Sequence, residues 1–160
     1  MKSLIRPLAA ALLACASLAS HAADKVIFQL DWVPGGDKSA IYAAVKQGFF
    51  AAEGLEVTLQ SGRGSSDAIT KLASGTADVG VAGIAALMTA VAESNAPVKA
   101  VMSIYSKGPD AIFTVKGSGV NTLKDVTGKT VATATFSSSN ALWPVMQQNL
   151  SIDPAQVKLL

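Results

Sequence analysis

Groups able to hold or convert a small molecule fall in a few short stretches of this 160-residue chain. Asp31 and Trp32 stand together where an apolar run stops, just ahead of Pro34-Gly35-Gly36. A flat, electron-rich ring can stack on a planar heterocycle or cover an apolar ligand face. The carboxylate beside it can accept hydrogen bonds from ring or exocyclic nitrogens. The same letters also suit a core tryptophan at a strand end and a turn-capping aspartate. Gly62-Arg63-Gly64-Ser65-Ser66-Asp67 opens a helical pattern, and backbone N–H groups at a helix start attract anions and polar oxygens. Arg63 could pair an anion there or simply be solvated. Ser137-Ser138-Ser139-Asn140 is a matching hydroxyl-rich loop further along, with a plain helix cap as the competing reading. Gly83 precedes another apolar helix, and Tyr105-Ser106 closes an apolar run.

What the chain lacks narrows the chemistry. After residue 22 there is neither histidine nor cysteine. Acid–base or metal chemistry would rest on carboxylates and lysines, with no clustered pair among them. The expectation is a ligand site at Asp31, Trp32, Gly64, Ser65, Ser66, Gly83, Tyr105, Ser137, Ser138 and Ser139. No catalytic residue, metal or cofactor is expected, and no enzyme. Gly62 to Asp67 superficially matches the dinucleotide fingerprint G-x-G-x-x-G. Its third glycine is Asp67, however, and the next acidic residue, Asp78, begins a strand rather than ending one.

The elements that would position these residues alternate, as in a parallel α/β sheet. Val26 to Leu30 reads as the first strand. Ile41, Ala44, Val45 and Phe49 recur at helical spacing, with Lys38, Lys46 and Glu53 off the stripe, in a helix ending at Gly54. Leu55 to Leu59 is the second strand, and Ser65 or Ser66 caps a helix that Gly75 stops. Asp78 to Ala82 is a buried third strand, Ile84 to Ala92 an apolar core helix, and Val98 to Ile104 a fourth strand. After Lys107-Gly108-Pro109 a new strand, Ala111 to Val115, starts a second unit. Thr122 to Asp125 is a capping box on one helical turn. Thr130 to Thr135 is a strand, a helix runs from the serine loop to about Leu150, and Val157 to Leu160 starts another strand. Such a second unit holds too few strands to close a core of its own. The division expected is 1–22, 23–108 and 109–160.

The first of these segments carries Lys2 and Arg6, an apolar run from Leu8 to Ala19, and Ser20-His21-Ala22. That is the pattern of a cleaved secretory signal, giving a periplasmic product that starts at Ala23 and has lost Cys15. Leu12 to Cys15 loosely fits a lipoprotein box, the rival anchoring. Without Lys2 and Arg6 the 13 basic residues fall to 11, equal to the 11 acidic ones. A near-neutral chain offers no basic face to a phosphate backbone, so nucleic acid is an unpromising partner.

D-W-x-P at Asp31 to Pro34, followed by G-F-F-x-x-E-G-L-x-V at Gly48 to Val57, resembles the solute-binding proteins of ABC importers. The nearest branch is the thiamine-pyrimidine-precursor family, whose relatives bind nitrate, taurine and alkanesulfonates. The likeness runs from about Lys25 to the last residue. It implies a two-lobed periplasmic-binding-protein fold of type II, with one nearly complete lobe and part of a second. It further implies capture of a small solute by a monomer, hinge closure near Tyr105 to Pro109, and delivery to an ABC importer permease. In the pyrimidine-binding members the tryptophan of D-W-x-P contacts the solute. Eukaryotic relatives instead make the pyrimidine, using a lysine and a histidine that fall at Ala82 and Ala86 here. A histidine in the D-W-x-P loop of many members is matched by Lys38, which favours an anion such as a sulfonate or points into solvent.

Overall fold

The apolar run before Asp31 becomes the middle strand of a sheet. The computed structural model describes residues 22–108 and 110–160. β1 (Asp24–Gln29) lies parallel to β2 (Leu55–Gln60) along its whole length, from Asp24 opposite Leu55 to Gln29 opposite Gln60. On its other side it meets the short β3 (Val79–Gly80) at Phe28 and Gln29. In the order β2-β1-β3 successive crossovers part beside the carboxyl end of β1, where open α/β sheets hold ligands. Leu30 and Gln29 are fully buried at that end. The buried Gln29 amide is satisfied, donating to Leu30 O and Ser61 O and accepting from Lys71 Nζ.

The first crossover is broken in two. α1 (Ser39–Lys46) and α2 (Phe49–Ala52) replace the single helix expected, because Gly48 takes a left-handed φ of 75° that ends one helix and starts the next. α3 (Ser65–Ala73) makes the second crossover, and α4 (Ile84–Ser94) follows β3. The third strand pairs for two residues instead of five. The core reading of α4 is also corrected: Ala86 is buried, whereas Ile84 is 63% and Met88 66% exposed.

Two expected strands, Val98 to Ile104 and Ala111 to Val115, do not form. A strand exists only through its ladder partners, and among the described residues none lies alongside either run. Both stay unpaired, with Val101 and Phe113 each 92% exposed.

The remaining residues build a second small parallel sheet, β4 (Thr130–Val131) with β5 (Lys158–Leu159), connected through α5 (Ser138–Leu150). Val126, Trp143, Ile152 and Val157 are buried between them, with Leu123 and Met146 packed alongside. Ahead of it Asp125 Oδ2 accepts from the N–H groups of Asn121 and Thr122 at 2.9 and 2.7 Å, the acidic half of the expected capping box. The expected leader, residues 1–22, lies outside the described residues except for Ala22. No described helix is long and apolar enough to cross a membrane.

Candidate ligand site

Just past β1 the chain folds a loop around Lys38. Asp31 Oδ1 is shielded from solvent and has no hydrogen bond of good geometry. It relies on the charge of Lys38, whose Nζ lies 3.0 Å away. Lys38 also pairs with Asp37. Its side chain is only 7% exposed. Burial pulls the ammonium down, but the bonds with Asp37 and Asp31 outweigh that and hold its pKa above the ordinary 10.5. Lys38 therefore points inward and is already neutralised, which corrects both readings of it, anion receptor and solvated lysine. The Tyr105 hydroxyl reaches the same loop, donating to Asp37 O at 3.3 Å. Trp32 stands out from it, 45% exposed, with its carbonyl held by Gly62 N–H at 3.2 Å. A Cβ on Gly62 would lie 2.0 Å from Leu30 O, so only glycine lets the β2 end approach Asp31 and Trp32 this closely.

A second cluster lies at the starts of three helices. Gly64 precedes α3, Gly83 precedes α4 and Ser137 precedes α5. Ser65 does not cap its own helix as expected; its Oγ instead accepts the Gly83 N–H at 2.9 Å. A Cβ on Gly83 would meet Ser138 Cβ at 2.6 Å and Ser65 Oγ at 3.3 Å. Ser66 N–H donates to Phe136 O at 3.1 Å. Gly64, at φ 149°, backs onto Phe136 so closely that a Cβ would lie 2.1 Å from that oxygen. Ser137 is the true cap of α5, its hydroxyl accepting the Ser139 N–H. Ser138 and Ser139 both donate their hydroxyls to Asp110 Oδ1, at 2.9 and 2.7 Å. Aligned N–H groups give each helix start a partial positive charge, and here three such ends face one another.

Arg63 is tied in place as well. Its Nη2 donates to Asp67 Oδ1 at 2.6 Å and its guanidinium lies 4.8 Å from the centre of the Phe136 ring. Asp67 is buried in the first turn of α3 and meets Lys71 at 3.5 Å. The bond from Arg63 outweighs burial and, with Lys71, holds the Asp67 carboxyl below its ordinary 3.8.

The structure thus gathers Asp31, Trp32 and Tyr105 at one loop, and Gly64, Ser65, Ser66, Gly83 and Ser137 to Ser139 at one meeting of helix ends. Both stand at the carboxyl end of the first sheet. Asp110 and Phe136 escaped the sequence reading: neither sits in a motif, and their partners lie 28 residues and 70 or more residues away. A cleft of about 880 Å³ lies elsewhere. It opens between the unpaired 111–114 run and the apolar residues Leu123, Trp143 and Met146, touching the helix-end cluster only through Asp110, Ser139 and Asn140. Its lining mixes these apolar side chains with polar ones, among them Asp110, Asn121, Thr122, Lys129 and Thr133; the strand-end crevice is kept as the candidate because open α/β sheets hold ligands there.

The arrangement defines an α/β chain with parallel sheets and polar groups gathered past the strand ends. Residues 36–160 match the family described as NMT1/THI5 like, and the chain belongs to that family. It is 28% identical over 108 residues to a 4-amino-5-hydroxymethyl-2-methylpyrimidine phosphate synthase of Schizosaccharomyces pombe, covering 68% of this chain and 31% of that protein. A Haemophilus influenzae protein named for thiamine biosynthesis is 27% identical over 160 residues, all of this chain and 51% of the relative. A riboflavin-binding protein of Chloroflexus aurantiacus is 28% identical over 129 residues, 78% of this chain and 36% of the relative. The chain thus spans 31% to 51% of the length of these relatives.

These names overturn the expectation that no enzyme is involved. Several relatives are called synthases, including those of S. pombe, Legionella pneumophila and Saccharomyces cerevisiae. Most of each synthase lies outside the matched region, so the groups present in this stretch do not decide the matter.

Proposed function

We propose that this chain belongs to the solute-binding component of an ABC importer and captures a small planar heterocycle of the thiamine-pyrimidine type. The observation that carries the reading is the gathering of a half-exposed Trp32, Asp31 and Tyr105 beside a cluster of hydroxyls and helix starts. A stacking ring flanked by convergent polar groups suits a heterocycle better than a compact anion. Family membership supports the pyrimidine class, and the name of the riboflavin-binding relative is in keeping with a flat ligand. On this reading the two small sheets belong to the two lobes of a periplasmic-binding-protein fold, divided near residue 108. The lobes close on the ligand, and the monomer is exported by cleavage after Ala22 and docks on a permease.

The experiment is calorimetric titration of the secreted protein, its start at Ala23 read from intact mass, with a pyrimidine precursor, taurine and an alkanesulfonate. Base-like stacking is worth about 1–3 kcal/mol, so Trp32→Ala should weaken pyrimidine binding by about 5- to 150-fold, and Trp32→Phe by less. Normal binding by a well-folded Trp32→Ala protein reduces Trp32 to a packing residue. Tight sulfonate binding with none for the pyrimidine moves the ligand to alkanesulfonate, taurine or nitrate. The synthase names favour a second reading, pyrimidine formation by the whole protein. The resemblance implies that such enzymes consume pyridoxal phosphate, so mass spectrometry of the intact protein incubated with it tests this reading, a pyrimidine product being the positive result.

A further inference from the structure

The meeting of three helix starts is where an anionic group of a ligand would be expected to lodge. In this chain one of the three, the start of α5, already holds a carboxylate. Asp110 Oδ1 accepts from both Ser138 and Ser139 at the start of α5, and Ser138 packs against Gly83 at the start of α4. Two cations of the loop and helix-end cluster are engaged elsewhere, while Lys129 lines the same cleft as Asp110. Arg63 is bound to Asp67, and Lys38 to Asp31 and Asp37. Asp110 is exposed, and its Oδ2 accepts no hydrogen bond from the described residues, so it can receive one from an amino group.

We propose that Asp110 sets the charge of the ligand: the site takes an uncharged or cationic amino-heterocycle and turns away its phosphorylated counterpart. This rests on the heterocycle reading above and adds the ligand's charge state to it. Bringing a second anion to about 4 Å from Asp110 costs between about 5-fold and about a thousand-fold in affinity, for surroundings ranging from water-like to those near a protein surface.

The test measures binding of 4-amino-5-hydroxymethyl-2-methylpyrimidine and of its phosphate ester to the intact wild type, Asp110→Asn and Asp110→Ser by calorimetry, with circular dichroism as the folding control. The wild type should prefer the unphosphorylated compound. That preference should fall by at least about 5-fold in both variants, because asparagine and serine retain hydrogen-bonding capacity without the charge. A wild type that prefers the ester, or a preference that shifts by less in both folded variants, overturns the proposal while leaving the heterocycle reading in place. If no form binds either pyrimidine, the heterocycle reading fails and the charge selection falls with it.

Discussion

Replacing Lys38 by methionine keeps the apolar stem and removes the charge on which Asp31 depends. The expected cost follows from the surroundings. Removing one partner of a buried pair costs about 3–5 kcal/mol, mainly because the other charge is left without compensation. Asp31 retains 23% exposure and Asp37 53%, so water recovers part of that penalty and the Asp37 pair adds little. What remains is the shielded Oδ1 of Asp31, which has no other good hydrogen bond, and a loss of about 2–3 kcal/mol is expected. For a domain of about 150–250 residues that lowers the melting temperature by about 4–12 °C. The assay is urea unfolding of wild type, Lys38→Met, Asp31→Asn and the double variant. The double variant should recover more than half of the Lys38→Met loss, since the stranded carboxylate is gone. A Lys38→Met loss below about 0.5 kcal/mol, inside the range of ordinary surface changes, would refute this account of the loop. So would a double variant as unstable as the single one. Loss of sulfonate binding at unchanged stability would return Lys38 to the role of anion receptor.

Gly64→Ala should cost more than a usual surface change, on the order of 1–3 kcal/mol from the left-handed backbone alone, because its Cβ also meets Phe136 O at 2.1 Å. Fluorescence-monitored melting reads the loss, and a wild-type midpoint would show that residues 63–66 do not pack on Phe136. Acid should weaken the fold through Asp67, whose folded pKa lies below its ordinary 3.8. Its contribution is fully present well above that value and is lost as pH falls through the folded one. Urea midpoints should therefore drop below about pH 4, and Asp67→Asn should flatten that limb although Asp37, also shifted down by Lys38, still titrates. An unchanged acid limb in Asp67→Asn would remove the Arg63–Asp67–Lys71 network from the account.

The sequence alone determined the parts set by local pattern and local sterics. Strand patterns located β1 and β2, and the expected cap at Ser65 or Ser66 and the Ser137 to Asn140 run located the starts of α3 and α5 to about two residues. Asp31 and Trp32 were found because an apolar run that stops at a carboxylate and an aromatic ring marks a strand end. Tertiary structure decided what local pattern cannot carry. Val98 to Ile104 and Ala111 to Val115 have strand composition, yet a strand needs a partner ladder, and among the described residues none is present. Ser65 looked like a cap; packing turned its hydroxyl to Gly83, on a different helix. Lys38 could be read as solvated or as an anion receptor until folding buried it between Asp31 and Asp37. Asp110 gave no local signal, since its meaning comes from Ser138 and Ser139, 28 and 29 residues away. Apolar spacing marks a face that can be buried, yet Phe49 of the expected stripe is 60% exposed and Lys38, off it, is buried; only the fold decides which faces are covered and brings distant charges and helix ends to one point.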